Sequence, residues 1–168
     1  KWDSTGMHVT IENLNTTLDN SIVVKKIQAK ALLDNNGIYL DDLLLKYNSS
    51  TLEGAYSLSF SDEWRSFGDF ANKVTLKADV KNADVKAKDV ALFAPKAEKY
   101  IPQNIQMHGE IKGKLANLRT EELHIHAGKN TVLDISGNIK GLPKIKNTLF
   151  DLNSIHDYRL LVLDIADF

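Results

Sequence analysis

The polar residues best placed to do chemistry are histidines. His124 and His126 stand two apart, so on an extended strand both side chains project to one face; His108 and Glu110 share that spacing on the strand before. A hairpin turning between Asn117 and Glu121 would set Glu110 or His108 opposite His126. Zinc accepts such ligands, and a hydrolase or metal enzyme could use His108, Glu110, His124 and His126. The competing reading is a solvated sheet face that carries imidazoles, and the spacing lacks the regularity of a zinc motif, so that plainer reading is preferred. No Gly-x-Ser-x-Gly, Gly-rich phosphate loop, His-Glu-x-x-His or dinucleotide fingerprint occurs, and there is no cysteine to serve as thiolate ligand or nucleophile. The sequence therefore predicts a protein that is not an enzyme, with no catalytic residues, no metal and no cofactor.

Other motifs explain themselves more simply. Asn15-Thr16-Thr17 and Asn48-Ser49-Ser50 match the glycosylation acceptor pattern but fall in turn-like segments. Lys77, Lys81, Lys86 and Lys88 could face anionic lipid, yet Asp79, Asp84 and Asp89 interleave with them, as on a solvated mixed-charge face. Twenty-one basic against 22 acidic side chains give a net charge of -1, without the basic excess that nucleic-acid binding needs. The 168 residues suffice for one domain with a sizeable core, and the 43% hydrophobic and 26% charged fractions are those of a globular chain. No run of about 18 apolar residues could span a bilayer. The start at Lys1, with no signal-like stretch, reads as an internal piece of something longer.

The elements that must position these residues are strands. Leu52, Gly54, Tyr56, Leu58 and Phe60 alternate with polar or small residues. So do Val74, Leu76, Ala78 and Val80; Ile105, Met107, Gly109, Ile111, Gly113 and Leu115; and Leu133, Ile135, Gly137 and Ile139. Shorter versions are Met7, Val9, Ile11; Ile27, Ala29, Ala31; Leu43, Leu45, Tyr47; and Leu123, Ile125, Ala127. One-sided strands belong to antiparallel sheets, so the class is mainly β. Turn signals at Asp34 to Gly37, Tyr47 to Ser50, Ala116 to Leu118, Ala127 to Asn130 and Gly141 to Pro143 predict a meander of hairpins. Strands of about 8 to 12 residues are longer than usual and suggest a wide sheet that curls. Gly109 and Gly113 lie on the apolar face, where they relieve crowding or permit bending.

Two short helical insertions are expected, at residues 61–71 and 88–95. In the first, Asp62 would cap and Trp64, Phe67 and Phe70 recur every third residue; in the second, Asp89 would cap and Pro95 stop the helix. Their aromatics would close an end or mouth of the apolar face. Val74 to Ala94 and Ile105 to Ala127 resemble each other, as the units of a stacked β-array would, although any meander has such self-similarity. Little helix is present to cover the stripe. Either the sheet closes around its own side chains, or it stays an open trough whose apolar wall suits acyl chains.

Several blocks in order then carry a resemblance: Asp62 to Val74, Lys88 to Pro95, Gly109-Glu110-Ile111-Lys112-Gly113, Asn117-Leu118, Leu123-His124-Ile125, Gly128 to Thr131, Gly137 and Gly141-Leu142-Pro143. Over about residues 36 to 152 the chain resembles the AsmA/TamB-like envelope proteins of the Bacteroidota, the translocation and assembly module type. The resemblance implies a long, curled sheet with an apolar inside, a β-taco, within a periplasmic protein anchored in the inner membrane by an N-terminal helix. It implies movement of phospholipid, or help to outer-membrane proteins assembling with a barrel partner, and no catalytic residues. The chain is far shorter than those proteins and lacks the membrane helix and barrel-docking region; from Ser154 to Phe168 the alternation gives way to the run Leu160 to Leu163.

The expectation is one segment, residues 1–168, of a longer repetitive protein: a long-stranded antiparallel meander curled into a U-shaped groove that binds or conducts phospholipid acyl chains and supports outer-membrane biogenesis. The groove residues would be Leu52, Tyr56, Leu58, Val74, Leu76, Val80, Ile105, Met107, Ile111, Leu115, Leu123, Ile125, Leu133, Ile135 and Ile139. The alternative is a periplasmic scaffold or chaperone for outer-membrane proteins, with a sheet plugged by its own side chains.

Overall fold

The computed structural model of the chain describes residues 2–3, 6–18, 22–63, 65–91, 103–128, 131–142 and 149–154. Among them the fold is mainly β: a single antiparallel sheet in which each strand pairs with its neighbours in sequence and the ends do not join into a barrel. In chain order the strands are β1 (Trp2–Asp3), β2 (Gly6–Leu18), β3 (Ile22–Leu33), β4 (Gly37–Tyr47), β5 (Ser50–Phe60), β6 (Val74–Lys86), β7 (Asn104–Lys114), β8 (Asn117–Ala127), β9 (Thr131–Lys140) and β10 (Leu149–Ser154). Seven of them, β2 to β8, are 11 to 13 residues long, about twice the common strand length.

The hairpins form where turn chemistry dictates. The Asp34 carboxylate accepts from the backbone N–H groups of Asn36 and Gly37, both at 2.7 Å, and so closes the β3–β4 turn. Asp34→Ala leaves both donors without that acceptor, and an expected loss of about 1–2 kcal/mol is measurable by urea unfolding. Asn48, at φ 45°, makes the β4–β5 turn, and its side chain accepts from the Val23 N–H at 2.8 Å. The β7–β8 turn lies at Leu115 and Ala116, so Asn117 to Glu121 is strand rather than the expected turn.

The strands carry a recurrent irregularity that the alternation did not announce. Extra residues interrupt the register at Glu12–Asn13 in β2, Asp41–Asp42 in β4, Lys81–Asn82 in β6 and Glu121–Glu122 in β8. A bulge bends its strand and sharpens the local twist. Because these fall in every second strand at matching height, they crease the sheet along one line. Gly54 in β5 lies between the β4 and β6 bulges, and Gly109 in β7 between those of β6 and β8. Their φ values of 148° and 126° are open only to glycine, and a Cβ would collide with the carbonyl oxygens of Asp79 and Glu122.

The core sits on one side of this crease. Ala78, Val80 and Ala83 form its centre, with Leu52, Tyr56, Leu76, Val85, Met107 and Ile111 packed around them. The β5–β6 connection runs through a short 3-10 helix (Arg65–Asp69) into α1 (Phe70–Lys73), which displaces the expected insertion at 61–71 by a few residues. Asp62 does not cap it. The fully buried Ser66 hydroxyl instead accepts from the Asp62 N–H at 2.9 Å, and the Asp62 carboxylate lies 3.7 Å from Lys73 Nζ. Phe67 meets Phe60 edge-on at 5.1 Å and Phe70 at 5.9 Å; Trp64 lies outside the described residues.

The second helix, α2, spans Ala87–Val90, and residues 92–95 of the expected 88–95 insertion lie outside the described residues, as does the run Leu160 to Leu163. Asp89 is not its cap but its third residue. Only 2% exposed, its carboxylate accepts from the Ser49 N–H at 2.9 Å and the Ser50 hydroxyl at 2.7 Å, while the Lys86 N–H donates to Ser50 Oγ at 3.0 Å. This fastens α2 to the β4–β5 turn. Burial, with the Asp89 charge beside it, pushes the Tyr47 phenol up.

Candidate functional site

Register places the predicted groove residues on a common face. Leu52 stands opposite Ala83, Tyr56 opposite Ala78, Leu58 opposite Leu76, and Phe60 opposite Val74. Across β6 and β7, Ala78 meets Ile111, Val80 meets Gly109, and Val85 meets Ile105. The same row continues through Met107–Ile125 and Gly109–Leu123 into Ile125–Leu133, Leu123–Ile135 and Leu118–Ile139. Leu115 falls just beyond β7, in the turn, outside the paired register of this face. Alternation carried every one of these positions because a strand's side chains change face at each residue.

The fifteen residues divide by depth. Val74 (1% exposed), Val80, Leu123 and Ile135 are buried, close to the crease or beneath the β5–β6 connection. The other eleven, from Leu52 to Ile139, keep part of their surface in solvent. Small residues from odd strands, Ala29, Gly54 and Gly109, meet branched ones from even strands, Leu43, Val80 and Leu123, so the bottom of the crease is filled while the walls above it remain partly open.

The face extends further than the fifteen. Val9 and Ile11 of β2 stand opposite Ala31 and Ala29 of β3, Ala31 opposite Leu40 of β4, and Leu40 opposite Tyr56 of β5. The alternation at Met7 to Ile11 and Ile27 to Ala31 marks these stretches as strand without bringing them into the expected groove, and Leu40 escaped because the bulge makes the step from Leu40 to Leu43 three residues rather than two. The acidic pair Asp41-Asp42 inside an apolar stretch was the available signal. Tyr56 carries a buried hydroxyl that no described group hydrogen-bonds, and burial first, then the Asp79 charge, raises its phenol.

On the opposite face the histidines converge, but not in the expected pairing. His108 stands opposite His124, and His126 opposite Gln106 rather than Glu110 or His108, because the turn closes at Leu115–Ala116. The His108 and His124 rings stack at 4.4 Å and 17°. His126 Nδ1 is 3.4 Å from Gln106 Oε1. They edge an open cavity of about 440 Å³ that also takes in Asn82, Val132 and Asp134. Among the described residues no three histidine or acidic side chains converge as a metal site.

Along the crease, exposed ion pairs join the β4 and β8 bulges to the strands before them: Lys30–Asp42 and Lys112–Glu121, at 2.8 and 2.7 Å. The Lys30 ammonium holds the Asp42 carboxyl below its ordinary range, and Lys112 does the same for Glu121. No helix among the described residues is long and apolar enough to cross a membrane. No protein-family model matches this chain, and no curated protein or solved structure is significantly similar to it.

Proposed function

We propose that this chain is a non-enzymatic segment of a β-groove protein of the bacterial envelope, and that its apolar face holds or passes the acyl chains of phospholipid. One observation carries the reading: ten apolar side chains across five strands, β5 to β9, on one face of a sheet that among the described residues does not close, keep part of their surface uncovered. Removing hydrocarbon from water is worth about 0.8 kcal/mol per methylene, so such a wall binds alkyl chains without polar contacts and leaves head groups in water. The resemblance to AsmA/TamB-like proteins supports a periplasmic setting within an inner-membrane-anchored protein that works with an outer-membrane barrel partner.

Native mass spectrometry of the purified chain tests this. The expected result is co-purified phospholipid, reduced about tenfold or more by Met107→Asp or Ile125→Asp, since a carboxylate on the wall must be desolvated against hydrocarbon. Phospholipid retained in full by both variants would overturn the reading. A second reading, a scaffold or chaperone for outer-membrane proteins, is favoured by the filled crease around Ala78, Val80 and Ala83. A folded wild-type chain that carries no lipid would select it.

A further inference from the structure

The outer face of β8 holds one imidazole between two carboxylates. His124 Nδ1 is hydrogen-bonded to Asp134 Oδ1 on β9, and His124 Nε2 lies 3.2 Å from Glu122 Oε1 on its own strand. A carboxylate only accepts hydrogen bonds, and a neutral imidazole has one N–H and one lone pair. Both contacts are therefore favourable together only when each ring nitrogen carries a proton. From β7 the His108 ring lies flat against the imidazolium, flanked by Glu110 and Gln106 two residues to either side. The Lys81–Asn82 bulge of β6 stands opposite His108, and His126 is the next outward residue of β8. Asp134 of β9 and Glu122 of β8 are the carboxylates that hold the ring, and Glu110 of β7 and Lys81 of the β6 bulge are the neighbouring charges by register.

We propose that His124 is a proton-operated clasp between β8 and β9, closed when it bridges Asp134 and Glu122 and opened when it loses a proton and releases one of them. The residues on either side of it, Leu123 and Ile125, face the apolar wall, where Ile125 stands opposite Leu133. Opening therefore loosens the ladder under that part of the wall, whether or not the wall carries lipid. The Asp134 hydrogen bond first, then Glu122, holds the His124 imidazolium above its ordinary value of 6.5. A group raised on folding stabilises fully below its unfolded value, so the tie is intact below about 6.5 and is lost as pH rises through the higher folded value.

Nuclear magnetic resonance of the full chain tests this by following the His124 ring and the exchange of the His124, Ile125, Leu133 and Asp134 amides from about pH 6 to about pH 9. After correction for intrinsic exchange, wild-type protection at these amides should fall roughly threefold with the midpoint of the His124 titration, while the Leu32–Tyr39 ladder of β3 and β4 stays level. Asp134→Asn should move both midpoints down together, and His124→Gln should abolish the fall. An equal fall in His124→Gln, or a His124 midpoint unmoved by Asp134→Asn, would overturn the clasp.

Discussion

Gly109→Val and Gly54→Val should each cost about 3–5 kcal/mol, a large part of the stability of an ordinary domain. Both glycines hold a backbone conformation that a β-branched residue cannot adopt without strain, and both lie where a side chain would strike a carbonyl of the adjoining strand. The neighbouring backbone has little room to yield, because each of those carbonyls belongs to a strand that is itself bulged. Urea unfolding followed by circular dichroism would measure the effect. Gly68→Ala is the matched control: nothing lies within 4 Å of a Cβ there, and a change of no more than about 0.5 kcal/mol is expected. Glycine variants in the sheet that unfold at the control's denaturant concentration would show that the crease tolerates side chains.

Asp89→Ala should destabilise the chain by about 2–4 kcal/mol. The loss is larger than for a surface carboxylate because Ser50 is also only 2% exposed, and its hydroxyl and the Ser49 N–H would both lose their acceptor away from bulk water. Asp89→Asn keeps an oxygen of the same reach and should cost about half as much or less. Exchange at the Ala87 to Val90 amides locates the effect, since α2 is held to the β4–β5 turn through this side chain. Equal stability of the alanine variant and the wild type would contradict the role given to Asp89.

What the residues disclose in advance follows from how far a simple period survives. From Leu52 to Phe60 and from Leu133 to Ile139 nothing breaks the two-residue step, and pattern, strand and face coincide. In β2 and β4 a single inserted residue shifts the phase, so the alternation that marks Met7 to Ile11 and Leu43 to Tyr47 stops at the bulge and does not join these strands to the rest of the face. The histidine pairing failed by a similar margin. A turn closed by Leu115 and Ala116, at the start of the Ala116 to Leu118 turn signal, moves every partner along β8 relative to a turn nearer Glu121. Asp89 before an apolar run reads locally as a cap, whereas its partners lie about forty positions away in sequence, beyond the reach of any local rule. Depth was equally hidden: Val80 and Tyr56 fit the same stripe, but only the crease decides that one is sealed and the other half open.

Among the described residues the crease recurs in every second strand from β2 to β8, and the edge strands β1 and β10 do not pair with each other, so nothing in that geometry fixes how many pairs there should be. A barrel is complete at a set circumference; this design is closer to a corrugated strip that can be cut to any length. Each further hairpin bearing one bulge and one well-placed glycine would lengthen the apolar wall by about 10 Å, two strand spacings, without disturbing the packing of the rest.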